Sequence, residues 1–204
     1  FGKKSFFLSI FFLPTALPIA AIFLLISLFI SIFNFRNNLF KDKFNYSIII
    51  CIGLIFFSTF NNLYLNLPLE LKGVDKSLVL INLFNWIPSL IFFIAFQIYL
   101  EKKEDRLKFS KFLISGTIPV LISCFFQLWT NYIGPFEFLN GLIVWFQKPL
   151  EITGGVSGLF SNRNYAGFWL AINLPFSFLL ISENKYNSKK RLVMFLITSS
   201  IIIL

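Results

Sequence analysis

The stretch from Phe112 to Trp129 reads FLISGTIPVLISCFFQLW and contains no charged residue. An apolar run of roughly 18 residues or more is long enough, as a helix, to cross the ~30 Å hydrocarbon core of a bilayer. Within lipid a single segment satisfies its backbone hydrogen bonds only as a helix. The stretch therefore predicts a membrane-spanning helix.

The composition of the whole chain supports the same interpretation. Of the 204 residues, 57% are hydrophobic, 30 are Phe and only 13% are charged, and the mean hydropathy is +0.79. A soluble domain would carry about 25% charged residues. We therefore expect an integral membrane protein whose residues 1–204 belong to a single transmembrane domain.

Five further apolar runs accompany this stretch and predict an all-α, polytopic transmembrane helical bundle with about six spans. They cover residues 5–33, 46–60, 78–100, 165–182 and 192–204. The first run contains Pro14 and Pro18, and we favour one kinked helix over a short re-entrant piece followed by a span. Because the last run is cut off at Leu204 and the first residue is not Met, we expect the N-terminal part of a longer protein.

The basic residues predict an orientation. Three connecting segments, 34–45, 101–111 and 183–191, hold twelve of the eighteen Lys and Arg residues, so the positive-inside rule places them in the cytoplasm. The alternate segments, 61–77 and 130–164, then lie outside. This count of spans leaves the N-terminus outside, which Lys3 and Lys4 do not fit, so either the first run is a hairpin or preceding residues are missing.

The net charge of +9 does not predict nucleic-acid binding, because the charge is spread over short loops between spans. We interpret it as a topology signal and as contact with lipid headgroups. Cys51 and Cys124 both fall inside predicted spans, where they act as small apolar residues, and no Cys/His spacing predicts a metal site.

The outer segment 130–164 is the longest connection. Its apolar part, Phe138 to Phe146, is too short to span a bilayer, and we expect an interfacial helix there that lies along the membrane surface or packs on the bundle. Trp129, Tyr132 and Trp145 fit an aromatic belt at the interface.

A polar cluster, Asn162, Arg163 and Asn164, stands at the start of the apolar run 165–182, shortly after Gly158. The glycine lets the backbone approach a ligand or a neighbouring helix, and an asparagine can cap the helix that follows. A helix N-terminus beside an arginine suits phosphate or pyrophosphate. The alternative is that Arg163 reaches anionic headgroups while the asparagines only cap the helix.

The run from Gly158 to Pro175, GLFSNRNYAGFWLAINLP, resembles the Gly-x-Phe-x-Asn-x-Asn-x-x-Ala motif of the O-antigen ligase and O-antigen polymerase superfamily of bacterial envelope proteins. The resemblance covers about twenty residues, and the remainder is similar only in architecture. Many members have Pro between the two asparagines, where this chain has Arg163. Members also often carry an Arg just before the motif, and residues 152–157 contain none.

The resemblance implies a fold of the GT-C type in the bacterial inner (cytoplasmic) membrane. The implied activity is transfer of a glycan from an undecaprenyl-pyrophosphate carrier to an acceptor glycan or lipid on the periplasmic face, without cofactor, metal or nucleic acid. On this interpretation Arg163, Asn162, Asn164 and Gly158 bind the pyrophosphate. The catalytic residues are not assigned.

The base that would activate the acceptor is open. Glu137 and Glu151 lie on the same outer segment and are possible substitutes, but we favour a solvated loop carboxylate as the interpretation of each. Glu70 and Asp75 are five residues apart, which is a weak signal for a metal-dependent glycosyltransferase.

A non-enzymatic function is the alternative: a translocator of lipid-linked glycan, or another transporter component of the membrane. Transporters usually place ionisable residues along the middle of their spans. The predicted spans here are nearly free of charge and contain uncharged polar residues, among them Asn82, Asn85, Gln97 and Gln127. This pattern favours a site at the outer surface.

Overall fold

The computed structural model describes residues 1–35, 42–64, 76–130, 133–150, 155–183 and 187–204. These residues form an all-α protein with one short β-hairpin. The elements in chain order are α1 (Gly2–Phe12), α2 (Leu17–Phe35), α3 (Lys43–Tyr64), α4 (Lys76–Phe96), α5 (Lys103–Thr130), β1 (Phe136–Phe138), β2 (Ile143–Trp145), α6 (Arg163–Glu183) and α7 (Ser188–Ile203). The chain divides into two compact units, one made of Phe1–Ser27 with Tyr99–Leu204 and the other of Leu28–Ile98.

Three of the helices are long and apolar enough to cross a membrane, and they mark the chain as a helical membrane protein. They lie in Lys43–Leu63, Lys103–Thr130 and Arg163–Glu183. Two shorter apolar helices cover Leu17–Phe33 and Leu83–Tyr99. By length and composition the described residues thus support three of the six predicted spans, and the GT-C type stays a prediction.

The first apolar run forms two helices, so the prediction of one kinked helix is wrong. α1 has 11 residues and ends at Phe12, whereas α2 starts at Leu17. Pro14 lies in the turn between them, and Pro18 stands in the first turn of α2, where a missing N–H costs no intrahelical bond.

α1 runs parallel to the first half of α5 and packs closely against it. At one end, Lys3 Nζ donates to Asp105 Oδ2 in an ion pair. Towards the other end, a Cβ atom added to Gly116 would lie 2.5 Å from the carbonyl oxygen of Phe11. Glycine is therefore what allows the two backbones to approach each other there.

The first part of α2 returns along α1. Phe12 stacks on Phe23, with ring centroids 6.3 Å apart. Further back along α1, Phe6 stacks on Tyr99, whose hydroxyl donates to the carbonyl of Ser27 at 2.8 Å. α1 and α2 therefore form a helical hairpin. A hairpin is one of the two explanations given above for basic residues, Lys3 and Lys4, at this N-terminus.

This arrangement corrects the predicted orientation of the N-terminus. The ion pair of Lys3 with Asp105 places the start of α1 beside the start of α5, which belongs to the basic segment 101–111. Because Lys3 and Asp105 are in contact, the N-terminus and the segment 101–111 lie on the same side of the membrane. An outer N-terminus is therefore incompatible with an inner segment 101–111.

α5 and α6 are antiparallel and share a buried polar cluster. Thr117 Oγ1 donates to Asn173 Oδ1 at 3.0 Å, and Trp169 Nε1 donates to Thr117 Oγ1 at 3.1 Å. Asn173 is completely buried. In an apolar interface such bonds fix how the two helices face each other. The surrounding core consists of Ile114, Val120, Leu121, Cys124, Val156, Leu159, Leu170, Leu180 and Ile201.

The segment expected to be an interfacial helix is a β-hairpin, so that prediction is wrong. β1 and β2 pair antiparallel, with Glu137 opposite Val144. The chain reverses between the strands at Asn140 and Gly141, whose φ angles of 56° and 81° are left-handed and incompatible with an α-helix. Trp145 Nε1 donates at 2.8 Å to the carbonyl of residue 15, in the turn between α1 and α2.

The second unit contains α3, α4 and the end of α2. Ser31, which is buried, donates from Oγ to the carbonyl of Ala95. Gln97 Nε2 donates to Oδ1 of the buried Asn45 at 3.0 Å. Each bond joins two helical segments through a buried polar side chain.

We expect Gly116→Ala to destabilise the protein, because the new methyl group meets the backbone of α1 and forces α1 and α5 apart. The expected cost is about 1–3 kcal/mol. Gly53→Ala on α3 is the matched control, since nothing lies within 4 Å of its added Cβ and alanine favours the helix. Thermal unfolding in detergent measures both, and equal Tm values for the two variants would contradict the close packing of α1 on α5.

Candidate functional site

Two pieces of the outer segment pair with each other beside the C-terminal half of α5. The backbone N–H of Phe146 donates to the carbonyl of Leu159 at 3.2 Å, and that of Gln147 donates to the carbonyl of Gly158 at 3.0 Å. Ser123 Oγ on α5 donates to Gln147 Oε1 at 2.7 Å. The chain that leaves the β-hairpin is thereby held against the chain that leads into α6.

Gln127 joins both pieces to α5. Its Oε1 accepts the backbone N–H groups of Ser157 at 3.0 Å and Gly158 at 2.9 Å. Its Nε2 donates to the carbonyl of Lys148 and, at 3.2 Å, to Ser157 Oγ. All four bonds available to a side-chain amide are used, and the residue is 2% exposed.

Gly158 is buried where the outer segment touches α5. Its φ is +52°, and a Cβ atom added there would lie 2.7 Å from Cys124 Sγ. Both the left-handed backbone and the close contact therefore require glycine. The structure places this predicted site residue in the packing of the loop, and it is not among the described residues that line the pocket next to it.

α6 begins at Arg163, and Asn162 caps it. Asn162 Oδ1 accepts the backbone N–H of Asn164 at 2.8 Å, while the Asn162 carbonyl accepts that of Tyr165 at 3.1 Å. Capping by the side chain before the first helical residue is the arrangement expected for asparagine. The N-terminal end of α6 carries a partial positive charge, because its peptide dipoles are aligned.

A pocket of ≈ 260 Å³ opens at this helix start. It is lined by Gln127, Lys148, Pro149, Gly155, Ser157, Ser161, Asn162, Arg163 and Asn164. Three of the four predicted site residues thus share one pocket. None of the described lining residues is acidic, and two of them, Lys148 and Arg163, are cations.

The pocket has the chemistry of an anion site. The Arg163 guanidinium can make two parallel charge-assisted bonds to a phosphate, and Lys148 supplies a point charge from the other loop piece. The N-terminal end of α6 adds its partial positive charge. Ser157 and Ser161 carry hydroxyl groups that can donate to the same oxygens.

Sequence reasoning missed the part that Lys148 and Gln127 play. In the sequence, Lys148 is only one of the few basic residues of the segment 130–164, and its distance along the chain from Arg163 gives no signal that the two meet. Gln127 was noted as a polar residue in a span. Its position in an apolar run was an available signal, because a buried amide needs partners and they had to come from outside the helix.

The structure describes only one of the four carboxylates that the sequence suggested as a base or metal ligand. Glu137 is an exposed residue of β1 and is not among the described residues that line the pocket. Glu151, Glu70 and Asp75 lie outside the described residues. Within the described part of the chain, no group of three or more His, Cys, Asp or Glu side chains could hold a metal ion.

Comparison of the chain with protein-family models, with curated proteins and with solved structures finds no match. The class follows from fold and composition: a helical membrane protein, whose described residues include three helices long and apolar enough to span. Membership of the O-antigen ligase and polymerase superfamily stays a prediction that the motif beginning at Gly158 carries.

We expect Gln127→Leu to cost about 2–5 kcal/mol, because it leaves the buried N–H groups of Ser157 and Gly158 without their acceptor. Hydrogen exchange of residues 155–160 should accelerate, and Tm should fall. The matched control is Gln97→Leu, a partly buried glutamine with one side-chain bond to Asn45, whose loss should cost less. Unchanged exchange at residues 155–160 in Gln127→Leu would contradict the anchoring.

Proposed function

We propose that this protein transfers a glycan from an undecaprenyl-pyrophosphate carrier to an acceptor glycan or lipid on the periplasmic face of the bacterial inner membrane. The observation that carries the proposal is the convergence of Arg163, Lys148 and the start of α6 on one pocket without a described acidic residue. The motif at Gly158 to Asn164 supports the particular donor.

The reaction makes a specific demand on such a pocket. The bond between the anomeric carbon of the sugar and the pyrophosphate oxygen breaks, and its electron pair stays on the pyrophosphate. The acceptor oxygen bonds to the same carbon and gives up its proton to a base. Cations placed around the leaving oxygens stabilise the charge that develops there, which is the contribution we assign to Arg163 and Lys148.

The position of the pocket along α5 suits a lipid headgroup. Gln127 lies three residues before the end of α5 at Thr130. It is 16 residues from Lys111, which corresponds to about 24 Å of helix. The pocket is therefore near the end of α5 opposite to its basic end, so an inner position of the basic segment 101–111 implies an outer position of the pocket.

The GT-C type of fold and an acceptor base belong to the same proposal. No described carboxylate lines the pocket, so we assign no residue to proton removal. The alternative function, translocation of a lipid-linked glycan, would use the same anion site without breaking a bond. It differs from transfer in where the donor lipid accumulates when the site is lost.

Binding of the purified full chain to farnesyl pyrophosphate tests the chemistry of the pocket. We expect saturable binding of the pyrophosphate and none of farnesol. Arg163→Lys should weaken binding roughly tenfold or more, because lysine keeps the charge but loses the forked geometry. The exposed Arg191 on α7 provides the matched control, Arg191→Lys, which should bind as the wild type does. Equal binding of farnesol would overturn the anion site.

Surface glycan in cells that depend on this protein distinguishes transfer from translocation. With Arg163→Lys we expect a severe loss of glycan attachment or length, an unchanged amount of protein, and accumulation of undecaprenyl-linked glycan on the outer face. Accumulation on the inner face would favour translocation. A normal glycan profile would contradict a role of Arg163 in holding pyrophosphate.

A further inference from the structure

A second cavity of ≈ 400 Å³ lies between α5, α6 and α7, beside residues 111–118 of α5 and further towards its N-terminal end than the pocket described above. It is lined by Lys111, Ile114, Ser115, Ile118, Leu180, Lys189, Lys190, Val193 and Met194. We refer to this cavity as the inner groove, because its lysines belong to the segments that the charge pattern predicts to be cytoplasmic.

The inner groove has two chemically different parts. Lys111 on α5, with Lys189 and Lys190 on α7, supplies the basic part of its lining. Its remaining wall is apolar apart from one serine, and it includes Leu180, which is 2% exposed. A basic part adjoining an apolar trough matches a molecule with an anionic head and a hydrocarbon tail.

The three lysines are not neutralised by the ion pairs found in the described residues. Those pairs join Lys3 to Asp105 and Lys103 to Glu183. The start of α7 adds a partial positive charge beside Lys189 and Lys190, because the peptide dipoles of the helix are aligned. Asn187 marks this start by accepting the backbone N–H of Lys190 at 3.0 Å. The basic part of the groove therefore attracts an anion.

We propose that the inner groove binds one anionic diacyl phospholipid of the cytoplasmic leaflet. Its phosphate contacts the three lysines, and an acyl chain lies along the apolar wall. Basic pockets between transmembrane helices on the cytoplasmic side are suited to anionic headgroups. A free phosphate makes no use of the apolar wall, and a zwitterionic lipid gains little from three lysines.

The lipid would act as a bridge between α5 and α7. α6 packs against both of these helices, whereas α5 and α7 contact each other only sparsely. One phosphate held from both sides stabilises their arrangement, because a ligand that binds only the folded state adds its binding free energy to stability. This site is separate from the proposed transfer site and does not depend on that function.

The test uses the purified full chain in a neutral detergent, titrated with dioleoyl phosphatidylglycerol or dioleoyl phosphatidylcholine. Tm is measured together with the number of lipids that remain bound in native mass spectrometry. We expect phosphatidylglycerol to raise Tm saturably with one lipid retained, and phosphatidylcholine to do neither. Glycerol phosphate at the same concentrations separates the lipid from its headgroup and should have no effect.

Two triple variants carry the same change of charge. The first replaces the groove lysines, Lys111→Gln, Lys189→Gln and Lys190→Gln, and should weaken phosphatidylglycerol binding roughly a hundredfold. The second replaces three exposed lysines that do not line the groove, Lys43→Gln, Lys102→Gln and Lys108→Gln, and should bind as the wild type does. An equal loss in both variants would overturn the site in favour of general charge attraction.

Ser115→Trp tests the apolar part separately. Ser115 is exposed on α5 and lines the groove, so an indole there fills the trough while the lysines stay in place. We expect this variant to lose the retained lipid. Retention of one phosphatidylglycerol, or an equal Tm increase with glycerol phosphate, would show that no acyl chain occupies the groove and would overturn the proposal.

Discussion

The structure of the candidate site depends on the hydrogen bonds of Gln127. The loop pieces that meet α5 near this residue are irregular, and their backbone groups are buried where they need partners within the protein. One side-chain amide satisfies two N–H groups and one carbonyl of those pieces, together with the hydroxyl of Ser157. The position of Lys148 relative to Arg163 follows from this, because Lys148 belongs to one loop piece that Gln127 holds and Arg163 begins the helix into which the other piece leads.

A second constraint is the short first helix. α1 covers only the first half of α5, up to the close contact at Gly116. Beyond that point the β-hairpin and the loop after it lie beside α5, and the indole of Trp145 bonds to the turn at the end of α1. If α1 continued to the end of α5, it would occupy the surface of α5 on which the outer segment packs. The break near Pro14 therefore leaves room for the outer segment and its site.

The first unit carries positive charge at both ends of α5, in two different settings. At one end, Arg163 and Lys148 line a polar pocket together with hydroxyl and amide groups. At the other, three lysines border an apolar trough. The first setting suits a phosphate group and the second an amphiphile, because apolar walls add affinity only for a ligand that has apolar surface to bury. Charge alone therefore does not distinguish the two sites, and their neighbouring residues do.

The sequence by itself determined the class and most of the helices. Uncharged apolar runs such as Phe112 to Trp129 have one stable form in lipid, and Asn162 before a helical run is a local capping signal. The sequence also pointed to Arg163. The break after α1 and the strands in residues 136–145 have local signals, Pro14 in the first case and the turn residues Asn140 and Gly141 in the second, which the apolar pattern alone did not reveal. Only the tertiary structure decided that Lys148 joins Arg163 in a pocket. This meeting arises from contacts between residues far apart in the chain, such as those of Gln127 with the loops, and no local pattern of hydrophobicity or charge encodes which distant partners will meet.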